Sequence, residues 1–172
     1  MRLFKHLFTL VIFVSLIACT SDDDAPQYPL NNTNLSAGSY QVNYLVTNAT
    51  GTVIIEGIQV EVSNENTTGE FFNLTYNFSE NGTYRYDGEY LNNTIRILAD
   101  GTVLEDSSVI IVVDNETGTY AANNTTMQLL LGETLYDVTL FNTNELRLSS
   151  SNSYTDDGVD YIETSEIRPV SY

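Results

Sequence analysis

The sequence predicts an all-β domain, an antiparallel up-and-down meander of about eight to ten strands closed into a barrel, with a β-sandwich as the alternative architecture. Three observations predict it. Helical periodicity is absent from residue 37 onward. Runs of β-branched and aromatic residues alternate with polar ones, and Gly, Asn and Asp break these runs at short intervals. The breaks are short enough for tight turns, which suit strands paired in chain order better than the long crossings of a Greek key.

In order, Tyr40-Gln41-Val42-Asn43-Tyr44-Leu45-Val46 alternates and reads as a first strand, closed by the turn Asn48-Ala49-Thr50-Gly51. Thr52 to Ser63 follows as a second. Glu70 to Ser79 puts Leu74, Tyr76 and Phe78 on one face, Asn81-Gly82 turns the chain, and Thr83 to Tyr90 returns with Tyr84, Tyr86 and Tyr90 in phase. Asn-Gly between alternating runs is a strong hairpin signal. A weaker strand, Asn93 to Leu98, leads through Asp100-Gly101 into Val103 to Asp114. The centre of that segment, Val109-Ile110-Ile111-Val112-Val113, is apolar on both faces and is expected to be the best-buried run of the chain. Asn115 to Gly118 is expected to turn it. Short strands follow at Thr119 to Ala122, Met127 to Leu131, Thr134 to Phe141 and Glu145 to Ser150. After a polar loop through Asp156-Asp157-Gly158, Val159 to Arg168 is the last strand, ended by Pro169.

The start of the chain has a different character. Arg2 and Lys5 precede an apolar run from Leu7 to Ala18, then Cys19. A membrane-spanning helix needs about 20 apolar residues, so this shorter run reads as the core of a cleaved export signal. Leu16-Ile17-Ala18-Cys19 resembles the lipobox of bacterial lipoproteins, which implies cleavage before Cys19 and lipid attachment to its thiol, with diacylglycerol and acyl chains such as palmitate. The chain has no second cysteine to pair with it. Ser21-Asp22-Asp23-Asp24 resembles the tag that directs lipoproteins of some Gram-negative bacteria to the outer face of the outer membrane; a periplasm-facing anchor is the alternative. The organisation expected is a signal peptide at 1–18, a lipidated acidic tether and linker at 19–36, and one β-domain at 37–172.

Composition bounds the chemistry. The only Lys and the only His, Lys5 and His6, precede the cleavage point. The mature chain therefore lacks a histidine base, a Schiff-base lysine and imidazole or free-thiolate metal ligands. Four arginines remain against 23 carboxylates, so the formal charge moves from −17 to −19. A surface of that sign repels phosphate backbones, and nucleic acid is not an expected partner.

The β-domain resembles bacterial lipocalin-like domains through Tyr76-Asn77-Phe78-Ser79-Glu80-Asn81-Gly82-Thr83-Tyr84, through Gly118-Thr119-Tyr120 with Met127-Gln128-Leu129, and through Thr139-Leu140 with Glu145-Leu146-Arg147-Leu148. Gly38-Ser39-Tyr40 stands where lipocalins carry Gly-x-Trp, and this chain has no Trp. By the same resemblance Arg168 is a candidate to cover Tyr40 as a cation over a ring. The resemblance implies a small exported barrel that binds a ligand without catalysis.

Tyr76, Tyr84, Tyr86 and Tyr90 are the candidate ligand-lining residues: facing inward they would line a cup with apolar walls and orienting hydroxyls, or else pack on one another and fill it. Asp156, Asp157 and Asp160 offer oxygens to Ca2+ but fit no EF-hand spacing, and a solvated turn is expected there. No catalytic residue, metal or cofactor is expected. The functions that follow are a surface-exposed lipoprotein holding a small apolar or amphipathic ligand or a glycan fragment, or a filled-barrel subunit or inhibitor that meets a protein partner. An enzyme would need a carboxylate pair set about 5–10 Å apart, and none stands out.

Overall fold

The structure, a computed structural model, describes residues 28–172; Cys19 and the signal lie outside the described residues. A single helical turn, α1 (Asn32–Leu35), precedes nine strands: β1 (Ser39–Ile55), β2 (Ile58–Glu70), β3 (Thr75–Ser79), β4 (Thr83–Leu98), β5 (Val103–Asn123), β6 (Gln128–Leu131), β7 (Thr134–Phe141), β8 (Leu146–Asp156) and β9 (Val159–Ser171). They form one antiparallel sheet in the order β2-β1-β3-β4-β5-β6-β7-β8-β9, with β1 also paired to β9 and β2 to β4. The expected all-β meander is present, and its hydrogen bonds run around a ring.

That ring is uneven because its strands differ in length. The start of β1 pairs with β3, and its later residues Val46–Ile55 pair with β2. β4 does the same in reverse, holding β3 with Thr83–Asp87 and β2 with Leu91–Leu98. β3 and β2 thus fill one slot at opposite ends. On the other side β6 covers only Tyr120–Asn123 of β5, and β7 reaches only Leu146–Ser149 of β8. Beyond those residues β5 and β8 have no neighbour on that side among the described strands. One end is closed; the other is a six-stranded sheet, β5-β4-β2-β1-β9-β8, with two free edges.

Several turns fall elsewhere than the sequence predicts. β1 runs straight through Asn48–Gly51 and turns at Glu56-Gly57, whose φ values of 52° and 83° mark a primed hairpin turn. Asn48 and Thr50 look turn-like because they sit on the solvent face, bonded to Asn66 and Asn64. Gly51 makes room instead: a Cβ there would lie 2.9 Å from the ring of Tyr161. Gly118 likewise sits under the ring of Tyr84, and β5 passes Asn115–Gly118 with a bulge opposite Asp87. β4 is one strand where two were expected, its alternation unbroken from Tyr84 to Arg96. β8 continues through the expected polar loop and turns only at Asp157-Gly158. β9 does not end at Pro169, which pairs with Val42 beside a bulge in β1 that absorbs the missing N–H.

The core lies in the closed end. Phe141, Leu129, Leu146, Leu148 and Val42 are fully buried, joined by Leu30 and Leu35 at 1% and 0% exposure. Residues 28–36, expected as linker, therefore pack as a plug. Asn31 caps α1 by accepting from the Asn34 N–H, Leu30 N–H bonds the Asn124 side chain, and Tyr28 N–H bonds the Phe141 carbonyl. Tyr40 packs edge-on against Phe78 at 5.7 Å. Arg168 does not cover Tyr40; it lies 4.3 Å over Tyr44, on the outer face. Tyr40 points into the core, and the Asn43 bulge reverses the alternation before Tyr44.

The run Val109–Val113 departs most from expectation. Val113 is buried, but Val109, Ile110 and Val112 are 53%, 64% and 68% exposed. It lies on the free edge of β5, past the reach of β6, so an apolar run that reads as a central strand becomes a border.

Candidate functional site

The inward face can be followed along each strand from its buried members, since direct partners share a face. On β8 it runs Leu146, Leu148, Ser150, Asn152, Tyr154; on β9, in the opposite chain direction, Ile167, Ser165, Glu163, Tyr161. On β4 it runs Tyr84, Tyr86, Tyr90, Asn92, Thr94, Arg96. Each stripe starts apolar or aromatic at the closed end and turns polar toward the open end. The result is a cup with three layers: an aliphatic plug, a tyrosine belt and a polar mouth.

Tyr76, Tyr84, Tyr86 and Tyr90 are brought together on the inward face as their phase implies. Tyr76 stacks on Tyr86 at 5.1 Å and on Phe78 at 6.1 Å, Tyr84 tilts against Tyr76 at 6.2 Å, and Tyr90 stacks on Phe72 at 5.7 Å. All four pack against the buried cluster. Their rings fill the belt. Burial pushes the Tyr76 and Tyr90 hydroxyls up, and carries Tyr86 to about 12 together with its bond to Glu116 at 2.9 Å. Tyr136 joins the belt from β7; burial raises it too, followed by electrostatic coupling to Tyr84 and then Glu163.

Above Tyr136 the mouth opens into a cleft of about 410 Å3, lined by Glu133, Tyr136, Ser150, Asn152, Glu163 and Ser165 among others. Asn152 and Glu163 are direct partners across β8 and β9, as are Ser150 and Ser165. One pair further out, Tyr154 and Tyr161 stack at 5.1 Å with an interplanar angle of 16°. On the far wall Arg96 is held between Glu65 at 2.8 Å and Glu105 at 3.5 Å, and Ser107 donates to Glu105. Thr47 bonds Ser165, and Thr67 bonds Thr94, on the same face.

This arrangement offers hydroxyl, amide and carboxylate partners beside flat aromatic surface. None of these side chains is imidazole, amine or thiol, for residues 28–172 contain no His, Lys or Cys. At the Asp156–Asp160 turn the Asp160 carboxylate accepts from Thr155 at 2.7 Å. Sequence reasoning missed Tyr136, Ser150, Asn152, Tyr161, Glu163 and Ser165. The signal was present: Leu146, Leu148, Ser150, Asn152 and Tyr154 keep strict alternation into a stretch whose Ser and Asn content reads as loop. Comparison with family models, with curated proteins and with solved structures gives no match to this chain.

Proposed function

We propose that this chain is a lipid-anchored, non-catalytic binding protein of a bacterial outer membrane, surface-facing through its Cys19 anchor, whose polar mouth holds a neutral glycan fragment. The observation that carries the reading is the cleft at Ser150, Asn152, Glu163 and Ser165, walled by Tyr136 and flanked by the stacked Tyr154–Tyr161 pair. A sugar presents hydroxyls at its edge and C–H groups on its face. The mouth matches both, with acceptors and donors on β8 and β9 and rings beside them. Apolar ligands fit less well, because the apolar layers below are occupied by side chains. Anionic ligands are disfavoured by an excess of carboxylates over arginines. The lipocalin-like resemblance agrees with a cup that binds at its open end.

Affinity electrophoresis of the full chain in detergent-containing native gels tests this, with soluble β-glucan, mannan or galactan in the gel and acidic polygalacturonan as control. Retardation by at least one neutral polysaccharide is expected, together with a loss of roughly tenfold or more in affinity for Glu163→Gln and Tyr161→Ala, the cost of one charged hydrogen bond or one ring face. Unchanged migration in every neutral gel, with Nile red bound in the cup instead, would transfer the site to an amphipathic ligand. Intact mass of the membrane-extracted protein reads the anchor: cleavage before Cys19 with acyl chains attached is expected.

A further inference from the structure

The free edge of β5 lies outside the cup and is built for something else. Residues Val103–Gly118 pair with β4 on one side and with no strand of the described residues on the other, because β6 reaches β5 only from Tyr120 onward. The edge is unlike that of β8, which carries Ser150, Ser151, Asn152, Ser153 and Thr155 and whose one large side chain there, Tyr154, is stacked on Tyr161. On β5 the unpaired backbone coincides with Val109, Ile110 and Val112, each more than half exposed on alternating faces. Natural edges are usually blunted by Lys, Pro or a covering loop, and this one has none of these along its apolar run. Instead acids flank it: Asp106 before the run, and Asp114 and Glu116 after it.

We infer that the β5 edge takes an added strand from a partner polypeptide, an extended apolar segment flanked at both ends by Lys or Arg. Charge complementarity selects this occupant over a second copy of the chain. Every arginine of residues 28–172 is already ion-paired, Arg85 with Asp87, Arg96 with Glu65 and Glu105, Arg147 with Glu145 and Arg168 with Glu166. A copy pairing antiparallel about Ile111 would bring the acids at the two ends of both runs, Asp106 of one and Asp114 and Glu116 of the other, to the same ends of the seam, with no cation to offer. A cationic strand satisfies the same geometry. Asp106 and Asp114 are eight residues apart, about 27 Å along a strand, so the partner's basic residues are expected at that spacing with alternating apolar residues between them. Backbone hydrogen bonds supply the register, Val109 and Ile111 meet side chains on the inner face, and Ile110 and Val112 meet them on the outer.

The probe is the peptide Lys-Thr-Val-Thr-Ile-Thr-Val-Thr-Lys, titrated by fluorescence anisotropy into the full chain in detergent, with amide hydrogen exchange read on β5. Binding that protects amides between Ser107 and Val113 is expected. A peptide with Pro in place of its central Ile keeps the charge but cannot pair, and is expected to bind at least roughly tenfold more weakly. Glu in place of the two Lys is expected to weaken binding similarly. In the protein, Ile110→Lys with Val112→Lys changes two solvent-facing residues outside the cup and is expected to cut affinity by a comparable factor. Equal binding of the Pro peptide would reduce the effect to bulk charge attraction and overturn the proposal. So would protection confined to other strands, or protection of the β5 edge that grows with protein concentration in the absence of peptide, which would make the occupant a second copy.

Discussion

Along β8 the inward residues are Leu146 and Leu148 at one end and Ser150, Asn152 and Tyr154 at the other, on one strand and one face. β9 and β4 make the same change. The closed end and the open end are thus made from the same strands, and what separates them is whether the ring has a neighbour to close it. Where β6 and β7 cover β5 and β8, the inward stripe is sealed from water and is aliphatic. Past their ends water reaches the inside, and the stripe carries groups that water can solvate. Stability resides in the first region; the second leaves its polar groups open to solvent.

The sharpest way to break this comparison is to truncate one large side chain in each region. Phe141→Ala in the plug is expected to cost about 3–5 kcal/mol, and Leu35→Ala about 2–5 kcal/mol, since both sides of each cavity are packed protein. Ile110→Ala on the β5 border is expected to cost under about 1 kcal/mol, because most of that side chain already meets solvent. Urea unfolding of the three variants measures this. Equal losses would mean that the open end is as much a folding core as the closed one.

The tyrosine belt lies at the boundary, and alkaline titration reads which side it belongs to. Burial, with Tyr120 next, raises Tyr40 to about 12, and burial followed by the Glu116 bond takes Tyr86 to about 12. The folded state therefore holds these protons more tightly than the unfolded chain, whose tyrosines ionise near 10. Their contribution is full below about pH 10 and is lost as pH rises through about 12. Tyr40, buried at 3% exposure, supplies up to about 2 kcal/mol of it and Tyr86 less, since its hydroxyl is solvent-reached. Phenolate absorbance followed with far-ultraviolet circular dichroism should show late-titrating tyrosines ionising together with loss of the sheet. Complete titration near pH 10 with the sheet intact would place the belt in the open region.

Much of this asymmetry was legible in the sequence, and the part that was not has a physical cause. Alternation and the Asn81-Gly82 turn give the β3–β4 hairpin, and β7 has the expected bounds, because strand pattern and turn chemistry agree there. They disagree at Asn48–Gly51 and Asn115–Gly118, where glycine serves a neighbouring ring and polar residues face solvent. Those stretches read as turns and are strand. Position in the ring is set by the lengths of other strands, which no local pattern encodes: Val109–Val113 reads as core because nothing within it records that β6 is four residues long. The same blindness hid the mouth, whose residues come from β7, β8 and β9 and meet only through pairing. Leu30 and Leu35 were hidden by company, two apolar residues among Asn and Pro.

The smallest effect concerns the ion network of the open wall. Arg96 lies between Glu65 and Glu105 with its side chain 42% exposed, and its bond to Glu65 is the main cause that raises its pKa. In the closed end an unpaired charge of this kind would be a severe defect. At the mouth, water screens what remains, so Arg96→Met is expected to cost no more than about 1 kcal/mol despite leaving two glutamates facing each other. The loss should shrink by about half in 0.5 M NaCl, where the screening length drops below the spacing of exposed charges. Urea unfolding at low and high salt measures both quantities. A loss above about 3 kcal/mol that salt does not relieve would show this wall shielded from water, and the division between a sealed end and a wet one would have to be redrawn around it.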